Sequence, residues 1–339
     1  MEFNKICVID GSYMLHRGLK QQHIFNMKSS TLERTGGLYT FLNILQKEMK
    51  LLGDYFPIVC FDDGLSKRRL DIDENYKKHK EKQSDETFIP FNMMTQEELD
   101  IDYVYNYKLQ RKKLIELLNA FGIPTLLYRN TEGDDLMYWL VKHSKKSKII
   151  TDDKDLLQML SETCRVRQPM KDKLVDMNTF LKENNFDNID EFIKVKSFCG
   201  DGSDNIPGCC FRVGEKSAQA CIKLYESIRN ENNMQLFKDE KLLKEYCIDR
   251  NIPFKKAYCN FDEDRYTRNL KLIDLKQIKD NEFNDEMIYN SIRRVYKNND
   301  VHKPMQLLKK YEINTVNITI IFEFIMSTRH NIKESKIIS

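Results

Sequence analysis

The sequence predicts an α/β protein with a central, mostly parallel sheet, followed by a helical domain. Three observations lead there. Four short apolar runs, Ile6 to Ile9, Pro57 to Phe61, Pro124 to Tyr128 and Lys148 to Thr151, alternate with stretches of helical period, the pattern of parallel strands joined by crossover helices. From about Ser197 onward such runs cease and helical periodicity dominates. At 339 residues the chain exceeds one average domain and can bury a substantial core.

The elements follow in order. Lys5-Ile6-Cys7-Val8-Ile9-Asp10 reads as a first strand, too short and too soon interrupted by charge for a signal peptide. Leu38, Phe41, Leu42, Leu45 and Met49 recur at three- and four-residue intervals, as do Leu114, Leu117, Leu118 and Phe121, which marks two amphipathic helices packed on the sheet. Gly122 and Pro124 supply a helix stop and the entry to the third strand. Between them, residues 70 to 107 are charged, Tyr-rich and weakly periodic, a long excursion expected to be mobile without substrate. Later helices are expected over Glu215 to Tyr225, Glu286 to Tyr296 and Val316 to Met326, with the α/β domain spanning 1–190 and the helical domain 191–339.

Composition narrows the class. Hydrophobic residues make up 41% and charged residues 32%, with no apolar run approaching a membrane span, so a membrane protein is not expected. Nine scattered cysteines contain no C-x-x-C pair, which points to free thiols in a reducing, cytoplasmic compartment and away from zinc, although adjacent Cys209 and Cys210 are open to oxidation in vitro. A net charge of +3 does not identify a polyanionic partner, and local charge must decide.

Acidic residues close every apolar run: Asp10 after the first, Asp62 and Asp63 after the second, Glu132, Asp134 and Asp135 beyond the third, and Asp152, Asp153 and Asp155 after the fourth. Carboxyl ends of parallel strands share one sheet edge, so these groups converge on one crevice. A further pair, Asp201 and Asp204, lies in the loop from Gly200 to Asn205. Two carboxylates about 5 Å apart at an effective dielectric near 20 repel by roughly 3 kcal/mol, so a pocket of many such groups needs cations or protons. Hard oxygen donors without His or Cys select magnesium, with manganese as substitute, and two such ions suit phosphodiester hydrolysis. An Asp at a strand end also serves as a helix cap, a role expected first for Asp135 and Asp152. Phosphatase-like chemistry with Asp10 as nucleophile wants Asp-x-Asp, whereas Gly11 and Ser12 follow here.

At these residues the chain resembles the 5′ nuclease family, which includes the exonuclease domain of bacterial DNA polymerase I, flap endonucleases and tailed-phage ribonuclease H. The segments that carry the resemblance are Val8-Ile9-Asp10-Gly11, Phe61-Asp62, Thr131-Glu132-Gly133-Asp134-Asp135-Leu136, Ile150-Thr151-Asp152-Asp153-Lys154-Asp155-Leu156 and Gly200-Asp201-Gly202-Ser203-Asp204-Asn205-Ile206-Pro207-Gly208. It spans roughly residues 4 to 225, and Asn269 to Asp274 with the helices after it resembles the tail of the phage enzymes, which implies a free-standing, phage-type protein acting in a host cytoplasm. The resemblance implies a PIN-like fold, a first magnesium held by Asp10, Asp62, Glu132 and Asp134 with Asp135 close by, and a second held by Asp153, Asp155, Asp201 and Asp204. It implies that Lys77 and Arg69 contact the scissile phosphate, with Tyr76 as a stacking surface and Lys80 beside it; without the resemblance, this stretch reads as a solvated charge run. It further implies a helix-hairpin-helix over about 200–225 that grips a duplex through Gly208, Arg212, Gly214 and Lys216. The hairpin departs from the family pattern: it is one residue longer, and Arg212 stands where a central glycine is usual, which counts against a potassium ion there.

The activity expected is two-metal hydrolysis from the 5′ end of flap, nicked or RNA-primed duplexes, with water as nucleophile. Recruitment by a single-strand-binding protein and a replicative polymerase accompanies that role. No Ser/His/Asp arrangement is visible among the six histidines, and Trp139, Tyr103, Tyr105 and Tyr107 are expected in packing roles. The rival reading is a catalytically silent protein of the same fold that binds branched DNA.

Overall fold

The computed structural model describes residues 2–20, 27–78, 96–210, 213–279 and 282–333, except the side chains of 96–101. The chain forms two compact units: unit 1 comprises Met1–Leu65, Lys82–Met177 and Lys279–Ser339, and unit 2 comprises Ser66–Glu81 and Asn178–Ile278.

Unit 1 holds the sheet. Its strands are β1 (Glu2–Asp10), β2 (Phe56–Cys60), β3 (Thr125–Leu126), β4 (Ser144–Ile150), β5 (Cys164–Gln168), β6 (Lys173–Val175) and β7 (Ile332–Lys333). The order is β3-β2-β1-β4-β5-β6, parallel from β3 to β5, with β6 antiparallel on β5 and β7 antiparallel on β1. Ile6, Cys7, Val8 and Ile9 are fully buried, as a central strand covered on both faces requires. Helices Gly11–Leu19, Gly36–Leu52 and Gln96–Ala120 pack on one another. Helix Gly133–Lys142 packs across β1, β2 and β4; the right-handed crossover rule puts it on the opposite face, because the chain there reverses from β3 back past β1.

All four expected strands form, the third shortened to two residues. Three others escaped the periodicity argument. β5 reads Cys-Arg-Val-Arg-Gln, and it is buried because the Arg167 guanidinium pairs with Glu48 at 2.7 Å, both side chains shielded from water. β6 is a short edge strand. β7 corrects the expectation that strands cease after Ser197: two residues near the described end add to the sheet through Glu2 and Phe3. The units also divide the chain differently from a boundary at 190. Helices Asp285–Tyr296, His302–Lys310 and Ile318–Thr328 belong to unit 1, where Trp139 donates to Asp285 at 3.0 Å and Tyr289 packs on Phe3 and Trp139. Within the expected excursion, residues from 96 onward form one continuous helix, and 79–95 lie outside the described residues.

Unit 2 is helical: Lys67–Ile72, Ile189–Cys199, Glu215–Asn230, Glu240–Asp249 and Glu263–Ile273. Its core gathers Phe198, Ala218, Cys221, Leu224, Ile228, Leu243 and Tyr258. All nine cysteines are free, as expected.

Candidate metal centre

Strand register sets the site. Asp10 stands opposite Cys60, and Ile9 opposite Ile150, so Asp10, Asp62 and the segment from Thr151 to Asp155 emerge at one edge. The loop after β3 is tied to the loop after β2: Asp63 N–H donates to the Thr131 carbonyl at 3.0 Å, and Asn130 N–H to the Asp63 carbonyl at 2.8 Å. This brings the segment from Glu132 to Asp135 beside Asp62.

Each carboxylate is held by its neighbours. Asp10 accepts the Tyr13 amide at 2.8 Å, capping helix Gly11–Leu19, and the Thr151 hydroxyl at 2.9 Å. Asp62 accepts the Gly133 amide at the start of helix Gly133–Lys142, whose positive end favours an anion. Glu132 and Asp135 are buried, and Asp134 accepts the Asp135 amide at 2.8 Å. Asp153 accepts the Asp155 amide at 2.9 Å, and its own amide donates to the Thr151 hydroxyl at 3.0 Å. The capping role falls to Asp10. Asp135 lies inside its helix, and Asp152 accepts the Tyr13 hydroxyl at 2.7 Å and the Met170 amide at 3.1 Å.

Two glycines make the approach possible. A Cβ on Gly11 would stand 2.6 Å from the Phe61 ring and 2.7 Å from Val59, and one on Gly133 would stand 3.1 Å from Asp62 Oδ1.

Electrostatics supports a cation. Burial first, then the charges of Asp62 and Asp153, push the Asp10 carboxyl up to about 8, against its two hydrogen bonds. The donors are all hard oxygens. Among the described residues no three His, Cys, Asp or Glu side chains close into a coordination cage; an ion that keeps several of its waters needs no such cage. The donor set therefore fits magnesium or manganese.

Asp201 and Asp204 lie in unit 2, each beside a lysine. Lys196 reaches Asp201 at 3.4 Å; Lys77 reaches Asp204 at 3.3 Å, where the Tyr76 hydroxyl also donates at 3.3 Å. Lys77 has φ of +51° and donates its amide to the Asp204 carbonyl at 3.1 Å, so this segment is bound to that loop by backbone and side chain. Arg69 and Tyr76, expected at the scissile phosphate and as a stacking surface, are both buried: Arg69 donates from Nε to the Leu272 carbonyl at 3.0 Å, and Tyr76 packs with Ile206 and Leu272. Lys80 and Arg212 lie outside the described residues. Gly214 and Lys216 are exposed at the start of helix Glu215–Asn230, and Gly208 is packed so that a Cβ would meet the Cys199 carbonyl at 2.7 Å.

Sequence reasoning missed several residues around the crevice. Thr151 stood inside a quoted motif and Ser12 and Tyr13 just beyond one, but Thr151 holds Asp10 and Ser12 holds the Asp62 amide across 141 and 50 positions. Tyr107 and Arg111 gave no signal, because their partners are about fifty or more positions away.

Known proteins resemble this chain in sequence and in fold. A family profile described as "5'-3' exonuclease, N-terminal resolvase-like domain" matches residues 5–186. A 5′-3′ exonuclease of Aquifex aeolicus is 28% identical over 282 residues, 80% of this chain and 89% of that one. DNA polymerase I of Caldicellulosiruptor bescii is 30% identical over 233 residues, 66% of this chain and 25% of that one. The structure of bacteriophage T5 5′-exonuclease with bound zinc ions is similar at a TM-score of 0.57 and 21% identity, covering 95% of this chain and 100% of that one. Flap endonuclease-1 from Methanococcus jannaschii is similar at 0.51 and 15% identity, covering 97% and 93%.

Proposed function

The chain belongs to the 5′-3′ exonuclease family, whose profile covers more than half of it, and on that premise we propose that it is a two-metal-dependent 5′ nuclease. Its substrates are duplexes carrying a 5′ flap, a nick or an RNA primer, which gives it 5′-3′ exonuclease, flap endonuclease and ribonuclease H activity and a place in primer removal. A replicative polymerase and a single-strand-binding protein are the partners such work calls for. The observation that carries the reading is the shared strand edge: acids distant in sequence face one another closely enough that Asp62 and Asp153 raise Asp10.

Asp10, Asp62, Glu132 and Asp134, with Asp135 behind them, would hold one magnesium ion. Asp153 and Asp155, with Asp201 and Asp204 assigned by resemblance alone, would hold the second. When bound, two such ions neutralise charge on the attacking and leaving oxygens of a phosphodiester. The chain's own contribution is orientation. The Gly133 amide directs Asp62, the Thr151 hydroxyl and Tyr13 amide direct Asp10, and Lys77, paired with Asp204, would exchange that partner for a phosphate oxygen. The exposed start of helix Glu215–Asn230 offers amides to a duplex backbone.

A labelled 5′-flap duplex tests the proposal. Magnesium-dependent cleavage is expected, with Asp134→Asn and Asp153→Asn each slowing it by about a thousandfold, roughly 4 kcal/mol of lost charge stabilisation. Wild-type rates in both variants would end the metal assignment. Tight flap binding with no cleavage by the wild-type chain would favour the silent DNA-binding alternative.

A further inference from the structure

The Asp62 corner is gripped by a helix that lies outside the acidic strand-end motifs. On helix Gln96–Ala120, Tyr103, Tyr107 and Arg111 recur every four residues along one face. The Tyr107 hydroxyl donates to Ser12 Oγ at 3.0 Å, and the same oxygen accepts the Asp62 amide at 2.9 Å. From the other side, one Arg111 nitrogen donates to the Asp62 carbonyl, and the second pairs with Asp63 Oδ1 at 3.0 Å. The backbone of Asp62 is therefore held at both its N–H and its C=O, and its carboxylate is left to meet the Gly133 amide.

The grip is sheltered and rigid. Ser12 and Tyr107 are buried, and the Arg111 side chain is 14% exposed, so its bonds are less screened than those of a surface ion pair. The Arg111 guanidinium lies 5.7 Å from the Tyr107 ring centre. His16 stacks on Tyr107 at 4.1 Å with 3° between planes and bonds the Tyr103 hydroxyl at 2.6 Å, which fixes the Tyr107 ring. The held segment needs such support, because Gly64, two residues on, has φ of +93° and no regular structure spans Asp62 and Asp63.

We propose that Arg111 and Tyr107 are positioning residues that aim the Asp62 carboxylate at its metal ion, an inference that rests on the nuclease reading. Neither needs to touch substrate. Groups that orient a metal ligand set affinity for the ion, commonly by a factor of ten or more.

The test uses the full chain with Arg111→Ala, Arg111→Lys and Tyr107→Phe. Two readouts are taken: magnesium binding by calorimetry without DNA, and the magnesium concentration giving half-maximal flap cleavage. In Arg111→Ala both midpoints are expected to rise by about tenfold, with KM for the flap unchanged and the metal-free melting temperature lowered by the lost charge-assisted bonds. Arg111→Lys is expected to recover part of the loss, because one ammonium cannot serve both acceptors of a planar fork. Should Arg111→Ala fail to fold, Tyr107→Phe decides on the same readouts, with a shift of about threefold from one lost hydrogen bond. Unchanged midpoints, or an effect confined to KM, overturn the proposal. Wild-type cleavage with unshifted variants rejects only the positioning role, whereas magnesium binding without any cleavage rejects the nuclease reading and leaves positioning standing.

Discussion

A carboxyl group that accepts a helix-terminal amide ordinarily titrates low, since the hydrogen bond and the helix dipole both favour the ion. Asp10 accepts such an amide and a hydroxyl, yet burial and the charges of Asp62 and Asp153 outweigh them and raise it to about 8. The unfolded chain releases that proton near 4. Between about 4 and 8 the folded state therefore binds more protons than the unfolded one, and Asp10's contribution to stability, full below that window, is lost as pH climbs through it. A cation removes the penalty. The melting temperature without metal should fall from pH 6 to pH 8.5, the gain from magnesium should be larger at pH 8.5, and Asp10→Asn should flatten the metal-free slope. An equal slope in that variant would show that another group controls it. Unit 2 teaches a complementary lesson at this scale: Arg69 and Tyr76, basic and aromatic in a segment expected to meet nucleic acid, are tied internally to Leu272 and Asp204.

At the scale of elements, close approach decides whether the acids meet. Helix Gly11–Leu19 begins directly at the end of β1, and its first residue lies against Phe61 and Val59 with no room for a methyl group. Gly11→Ala should push helix and β2 apart and cost about 1–3 kcal/mol of stability, read as a lower urea midpoint. Because Phe61 precedes Asp62, flap cleavage should fall further than the stability loss explains; an unchanged urea midpoint would mean that the contact relaxes freely. β5 shows the opposite economy, in which a charged residue enters the sheet. Arg167 is tolerated there because Glu48 and Asp172 accept its donors.

For the whole molecule, one chain leaves unit 1 after Leu65, returns, leaves again after Met177 and returns at Lys279. Carboxylate repulsion exists only in the folded state, so cations that relieve it bind that state selectively. At about a hundredfold excess over Kd, magnesium should raise the melting temperature by roughly 5 °C, from about 2.7 kcal/mol of linkage. A flat melting temperature in a magnesium titration would count against a shared metal site. Cleavage of RNA-primed and all-DNA duplexes side by side checks the substrate range, with both expected to be cut.

Much of this was legible in the chain itself. Four apolar runs ending in acids specify a parallel sheet with a carboxylate edge, because period and strand direction are local properties. What the sequence could not decide was set by partners far away. The burial of Arg167 depended on Glu48, the return of the final helices to unit 1 on Trp139 and Phe3, and the inward turn of Arg69 on Leu272. Sequence by itself determined which donors are present and at which edge they emerge. Only tertiary structure decided which side chains aim them, since Arg111 meets the Asp62 backbone directly and Tyr107 reaches it through Ser12, contacts that no local pattern encodes.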